Sequence, residues 1–339
     1  MVSLIPLQHM EVGIVFNSFD NQAITPEEVE LKKTSLRVGS LLAEMGYSVS
    51  YFDMDSPESI IRLCEADIDI AFDTCERIHG DPRGEAYSTA LLEYLGIPHT
   101  RTSSFFIANG INKVRIKKIF AYHGISIPKY QVFLSPDEEL HENLHYPLFV
   151  KGVASENSIG IDENSFVTTP SQLREKISQI LLSLNQPALV EEFIDGREFS
   201  VSILPGEVNQ CLPITEIQFN GLPIHQRYLD YKAKWIPDSD RYLHTPPVIP
   251  EDLEPEEEQK IRDLAFRCFK VLGLDSYARV DMRCKEKELY VLEVNQNPSI
   301  EESDSGYVRA CRKIGLGYKE ILQVLLKNAL LIDHENPAS

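Results

Sequence analysis

The stretch SYARVDMRCKEKELYVLEVNQNP, residues 276–298, decides how the rest of the chain is read. Two apolar runs, 276–284 and 288–295, flank the charged residues Lys285-Glu286-Lys287-Glu288, the pattern of a β-hairpin. In a strand, alternate side chains share a face, so Arg279 points with Asp281, and Glu293 with Asn295. If the two strands pair, three oxygen donors and one guanidinium converge on one patch. Asp281, Glu293 and Asn295 are hard oxygen ligands of the kind Mg²⁺ takes, with phosphate oxygens completing the shell. Arg279 beside them is placed to stabilise a developing negative charge. A solvated hairpin laced with salt bridges would carry the same residues. The apolar flanks Tyr290, Val291, Leu292 and Val294 read as buried, so the acids emerge from a core strand, and this favours the metal reading.

Two upstream segments carry related chemistry. Pro147-Leu148-Phe149-Val150-Lys151 is an apolar strand ending in a lysine, followed by a polar turn with Ser155, Ser158 and Gly160. Such a turn can offer N–H groups and hydroxyls to phosphates while the lysine neutralises charge, although a strand-end lysine is also commonly just solvated. Glu191-Glu192-Phe193-Ile194-Asp195-Gly196-Arg197-Glu198 joins two strands through a glycine turn. Its backbone could read a base and Glu198 could hold ribose hydroxyls; an ordinary hairpin with acidic rims reads equally well there.

Working toward the N-terminus, the rhythm is strand–helix–strand. Residues 11–17 form a buried strand, and Thr25-Pro26-Glu27-Glu28 supplies an N-cap, a first-turn proline and acids. The helix it opens is expected to bury Leu31, Leu36, Val38, Leu41, Leu42 and Met45, ending at Gly46. Strands at 47–53 and 68–73, with helices at 57–65 and 84–96, imply an open parallel α/β domain. From Asn112 the pattern changes: a helix to Gly124, a strand at 130–134, a Pro-led helix, the strand 147–151, a helix at 171–184 and a strand at 188–192. The last part carries strands at 197–204 and 210–217, an irregular segment with Tyr228, Tyr231 and Trp235, a helix ending at Leu272, the hairpin, and helices near 307–314 and 317–331. The expected organisation is therefore 1–108, an N-terminal α/β domain; 109–190, a small α+β domain; 191–332, a mixed-sheet domain with the metal site; and a tail at 333–339.

The chain has 339 residues, 43% apolar and 25% charged, as folded globular proteins do. Its net charge of −19 opposes a phosphate backbone, so no nucleic-acid partner is expected, and an anionic nucleotide would need a local basic pocket or cations. No apolar run suits a membrane span, and Met1–Pro6 lacks a basic region followed by an apolar one, so a cytoplasmic location is expected. Cys64, Cys75, Cys211, Cys268, Cys284 and Cys311 form no Cys-x-x-Cys pair and read as small buried hydrophobes.

Taken in order from about residue 68 to 298, these pieces resemble the ATP-grasp ligases, and within them the D-alanine–D-alanine ligase family. Asn112-Lys113 matches the family's helix-opening Asp-Lys. Lys151 with Ser155–Gly160 matches its strand lysine and phosphate loop, and Glu191–Glu198 its hinge. Leu229-Asp230-Tyr231-Lys232-Ala233-Lys234-Trp235 matches its mobile loop, and Arg279/Asp281 with Glu293/Asn295/Pro298 its closing signature. The resemblance implies an ATP-grasp fold of three parts: a parallel α/β domain, a small lid and a mixed-sheet domain. It implies that Lys113 and Lys151 contact ATP phosphates, that Glu191, Glu192 and Ile194 contact the adenine, and that Glu198 contacts the ribose. By the same resemblance Ser158 lies over the phosphates and Lys234 comes from the mobile loop. Asp281, Glu293 and Asn295 would bind two Mg²⁺, for which Mn²⁺ can substitute, and Arg279 would stabilise an oxyanion. The implied reaction is ADP-forming ligation of a carboxylate, an amino acid's by analogy, to an amine through an acyl phosphate. Small-molecule substrates and a homodimer through the N-terminal domain also follow from it.

Departures fall on the substrate side. Where the family has Gly-Gly and Ser-x-Glu, this chain has Asn17-Ser18-Phe19-Asp20-Asn21; its Leu-His-Gly…Gly-Glu-Asp-Gly is echoed only by Ile78-His79-Gly80 and Gly84-Glu85. Glu156 stands for a loop glycine, Pro298-Ser299 for Pro-Gly, and Ile300-Glu301-Glu302-Ser303-Asp304 differs. Phosphoryl machinery kept beside altered amino-acid pockets suits a specialised dipeptide or amide ligase. A ligase for a non-amino-acid or carrier-bound metabolite, and a nucleotide-binding pseudoenzyme, are the alternatives. His79 matches a substrate-side histidine, whereas His99 and His225 read as structural.

Overall fold

The computed structural model describes residues 10–19, 25–206, 209–303 and 305–332. Met1–Pro6, Asp20, Asn21, Asp304 and the expected tail 333–339 lie outside the described residues.

β1 (Glu11–Phe16) lies between β2 (Ser48–Asp53) and β3 (Ile70–Asp73), all parallel, with crossover helices α1 (Pro26–Glu44) and α2 (Pro57–Glu65). Both faces of β1 are covered, which is why its sequence is continuously apolar. Val12, Ile14 and Phe16 enter one core with Val38, Leu41 and Leu42 of α1, while Val15 enters another with Leu63 and Leu92. The first core also receives Val308 and Cys311 from α10 (Gly306–Lys313) and Ile321, Leu322 and Leu325 from α11 (Tyr318–Leu331), so the end of the chain packs against its beginning. Glu28 accepts from the Thr25 N–H at 2.9 Å at the start of α1. Leu36, expected inside, is exposed: it sits two residues, about 200° of rotation, from Val38 on the buried stripe. Cys64 is exposed too, at the solvent side of α2.

α3 (Gly84–Tyr94), α4 (Ser104–Gly110) and α5 (Lys113–Tyr122) lead to a second, antiparallel sheet. Its order is β4 (Tyr130–Phe133), β7 (Ala188–Glu192), β5 (Leu148–Gly152), β6 (Phe166–Val167), backed by α6 (Pro170–Ser183). β7 runs across the expected boundary at 190. The short β6 was not expected, and the Pro-led helix after β4 is absent. Instead Glu138 accepts from the N–H groups of Leu134 and Ser135, and the Gln131 amide ties Glu139 and His141. Such side-chain-to-backbone bonds compete with a helix.

The third sheet is built on β8 (Arg197–Leu204). The expected strand 210–217 is two pieces, β9 (Gln210–Cys211) and β10 (Thr215–Ile217), both paired with β8. Pro213 between them has no N–H for the ladder. The irregular segment holds two short helices, α7 (Tyr231–Trp235) and α8 (Asp240–Leu243), and β11 (Pro247–Val248) then pairs with β10. α9 (Pro255–Val271) covers the sheet's back, and β12 (Ala278–Lys285) with β13 (Glu288–Asn295) form the hairpin. Its turn residues Glu286 and Lys287 both have positive φ, 53° and 69°, as a two-residue turn matched to strand twist requires. Among the described residues no helix is long and apolar enough to cross a membrane.

Candidate active site

Alternation in the third sheet produces the site. Phe199, Val201 and Ile203 of β8 and Ala278, Val280 and Met282 of β12 enter the core with Val291 and Val294. The opposite face therefore carries Glu198, Ser200 and Ser202, then Arg279, Asp281 and Arg283, then Glu293 and Asn295. Register pairs Arg279 with Asn295 and Asp281 with Glu293, so these four side chains do share a face. A register shift after Asp281 places Met282 against Val291, making Leu292 the extra residue; it and Tyr290 are half-buried rather than core.

This face floors a cavity of about 950 Å³. Asp281 accepts from Arg279 at 2.8 and 2.9 Å, from Ser200 at 2.6 Å and from the Asn295 amide at 2.8 Å. Glu293 pairs with Lys113 at 2.9 Å. Burial alone would raise the Glu293 carboxyl, but Lys113, Lys151 and Lys234 override it and hold it down at about 2. Burial opposes the charge of Arg279 as well, and Asp281 with Glu293 more than restores it. Among the described residues no three His, Cys, Asp or Glu form a metal cluster. The donor set is two carboxyl groups and an amide on one face; it fits Mg²⁺ provided phosphate oxygens and water supply the other ligands.

The lysines come from other elements. Lys113, at the start of α5 where Asn112 caps Val114 and Arg115, also donates to the Ser155 carbonyl at 2.6 Å. Lys151 ends β5 and pairs with Glu191 at 2.8 Å, while Lys117 holds the other Glu191 oxygen. Burial would raise the Glu191 carboxyl, and the two lysines bring it below the ordinary range. The Glu191 side chain is thus committed to lysines, and Glu192 accepts from the His145 N–H at 3.0 Å. The Ile194 carbonyl accepts from Arg283 at 2.7 Å, and Glu198 is gripped by the same guanidinium at 2.9 and 2.7 Å. A Cβ on Gly196 would lie 2.0 Å from the Cys284 carbonyl, so only glycine lets the hinge pass under the hairpin.

The polar loop and the segment with α7 lock together over the cavity. Ser158, at φ 60°, donates to the Leu229 carbonyl at 3.1 Å, and the Trp235 indole donates to Asn157 O at 3.1 Å. Tyr231 donates to the buried Glu27 carboxylate of α1 at 2.7 Å. Asp230 caps α7 through Ala233 N–H at 2.8 Å, which aims Lys234 into the cavity. Burial, and then Arg279, lowers the Lys234 pKa against the pull of Glu293 and Asp281.

One end of the cavity is anionic. Glu76, Glu85 and Glu156 line it. Burial, then Glu156, raises Glu76 to about 7, and burial drives Glu85 well above the usual range despite Arg101 at 2.5 Å. Arg101, fully buried, also donates to the Asp73 carbonyl at 3.1 Å. With its amide turned to satisfy both neighbours, Asn297 accepts from Arg101 at 2.8 Å. Ser299, Glu301, Ser303, Ser305 and Arg309 also line the cavity. Asn17 and His79 do not line the cavity: Asn17 ties the ends of β1 and β3 through Glu76 N–H at 3.0 Å, and His79 is exposed beside Asp55.

All twelve expected site residues line the cavity. Lys117, Glu27, Arg101 and Arg283 were not anticipated. Two had a signal: Lys117 is one turn after Lys113, and Arg283 continues the Arg279–Asp281 alternation.

The family model described as D-ala D-ala ligase C-terminus matches residues 119–327. The chain is 30% identical over 301 residues to a D-alanine–D-alanine ligase of Aquifex aeolicus, covering 88% of this chain and 95% of that one. It is 29% identical over 332 residues to that of Carboxydothermus hydrogenoformans, covering 94% and 97%. Crystal structures of D-alanine–D-alanine ligase from Bacillus anthracis superpose with TM-scores of 0.78 and, for the complex with ATP, 0.76, at 24% and 23% identity, each covering 96% of this chain and 99% of theirs. Those two establish the fold.

Proposed function

Because the chain belongs to the D-alanine–D-alanine ligase family, we propose that the cavity above is the active site of an ADP-forming ligase that joins an amino-acid carboxylate to an amine. The observation that carries the proposal is the shared face of Arg279, Asp281, Glu293 and Asn295 opposite Lys113, Lys151 and Lys234. ATP lies with its phosphates among the lysines and its base against the hinge of Glu191, Glu192 and Ile194, with Glu198 toward the ribose. Asp281, Glu293 and Asn295 hold Mg²⁺, which neutralises charge on the phosphates when bound.

Lys113 and Glu293 exchange partners as phosphates enter. Lys234 approaches the transferring phosphoryl group from the loop, and Ser158 closes over it. A substrate carboxylate oxygen attacks the γ-phosphorus, the bond to ADP breaks, and an acyl phosphate forms. The amine nitrogen then attacks the acyl carbon, Arg279 faces the oxyanion, phosphate leaves with the bonding pair, and the amine proton is lost. Excluding water protects the acyl phosphate, and the Tyr231–Glu27 and Trp235–Asn157 contacts seal the roof.

The carboxylates of Glu76, Glu85 and Glu156 at one end suit a substrate that brings an ammonium. The test is phosphate release from Mg²⁺ and ATP across D- and L-amino acids, singly and in pairs. Release that depends on one pair supports the proposal; wild-type enzyme that binds ATP and stays silent with every amino acid overturns the substrate class.

A further inference from the structure

Lys117 has no surface on the cavity, yet it is tied directly to one group that has, and through it to a second. It follows Lys113 by one helical turn on α5 and is 2% exposed. Its ammonium meets one oxygen of Glu191, with the Tyr130 ring 5.8 Å away. The other Glu191 oxygen takes Lys151 at 2.8 Å. Glu191 and Lys151 stand diagonally on adjacent strands β7 and β5, where the register sets Lys151 against Leu189 and Phe149 against Glu191. Both line the cavity.

We propose that Lys117 is a positioning residue for ATP: by occupying one oxygen of Glu191, it leaves Lys151 only the other oxygen to balance and keeps the lysine cluster itself net positive toward phosphate. This rests on the ATP reading of the cavity. Counting direct ion pairs alone, Lys113, Lys117 and Lys151 face two carboxylates, buried Glu191 and half-buried Glu293, leaving one positive charge in excess. Without Lys117 the set is neutral. Both Glu191 oxygens then fall to Lys151, and its ammonium is drawn toward β7 and away from the cavity. In a buried site a cation that alone balances a carboxylate has little left for a phosphate, because the desolvated pair is held by a strong local field. With the third lysine Glu191 is shared, so its burial beside a nucleotide does not consume the whole charge of Lys151.

The inference separates charge from packing. Adenosine carries no phosphate, so its binding should be indifferent to the excess charge, whereas a collapsed pocket would lose adenosine and ATP alike. The experiment measures dissociation constants of Mg²⁺-ATP and adenosine by calorimetry for wild type, K117M and K117M/E191Q. The double variant removes one charge of each sign and restores the net positive balance. K117M is expected to lower the preference for ATP over adenosine by about tenfold or more. The double variant is expected to recover it to within about threefold of wild type, a coupling that independent structural damage would not give. An unchanged preference in K117M overturns the inference, and so does a double variant as poor as the single. Wild type with no preference for ATP would instead remove the reading on which it rests.

Discussion

The two ends of the cavity handle negative charge in opposite ways. On the hairpin face every carboxylate has its own cation: Asp281 has Arg279, Glu293 has Lys113, Glu198 has Arg283. Glu293 is held at about 2. At the other end Glu76, Glu85 and Glu156 crowd one another, and burial pushes all three upward, Glu76 to about 7. The first end pairs each acid with a base and is able to trade protein partners for phosphates. The second is short of cations and favours whatever brings one, a proton or a substrate ammonium. A ligase needs both, one end for the anionic co-substrate and one for an amine-bearing partner.

The contrast breaks most sharply at Asp281. D281N should lower turnover by at least about 10³-fold while leaving the melting temperature within a few degrees, since the amide keeps the bonds to Ser200 and part of those to Arg279. Steady-state phosphate release with thermal denaturation reads both; full activity would remove the metal role from the hairpin. K234M should cost about 10²-fold in kcat with a smaller change in the KM for ATP, as loss of one charge aimed at the transferring group does. Equal losses in a single-turnover experiment and in ATP binding would place Lys234 in ground-state binding instead.

At the anionic end the expected effect is on stability. The Glu76 carboxyl rises from an ordinary 4.5 to about 7 on folding, so the folded state binds its proton more tightly. The stability it contributes is full below about pH 4.5 and is lost as pH rises through about 7. E76Q should therefore gain roughly 2 kcal/mol over wild type at pH 8, after discounting for solvent access, and little at pH 4.5. Chemical denaturation at the two pH values checks this, and a gain independent of pH would show that Glu76 is not under strain. The smallest effect belongs to the roof: Y231F removes one hydrogen bond to Glu27 and should reduce kcat/KM by about three- to tenfold. An unchanged kcat/KM would make that contact incidental to closure.

Much of the balanced end is legible in the sequence because it is made by strand periodicity. Arg279, Asp281, Glu293 and Asn295 alternate along two short runs, and pairing then dictates their common face. Lys151 at a strand end is visible for the same reason. The anionic end is made by loops and by contacts between remote residues, which periodicity does not encode. Arg101 there joins the Asp73 carbonyl, Glu85 and Asn297 from three separate segments, and in the roof Tyr231 meets Glu27 across 204 positions. The same limit explains Lys117, whose partner Glu191 lies on another element and reads as an adenine contact by resemblance alone. Errors of secondary structure have local causes: Pro213 splits one strand, and the Glu138 and Gln131 side chains replace one helix with turns.

The central claim is that a substrate carboxylate is activated as an acyl phosphate on the hairpin face. Incubating wild-type protein with Mg²⁺, ATP and a turnover-competent amino-acid pair whose carboxylate donor carries ¹⁸O tests it most directly. Transfer of one ¹⁸O atom into each released phosphate, with ADP formed in equal amount, is the expected result. Phosphate free of label, or AMP in place of ADP, would contradict it.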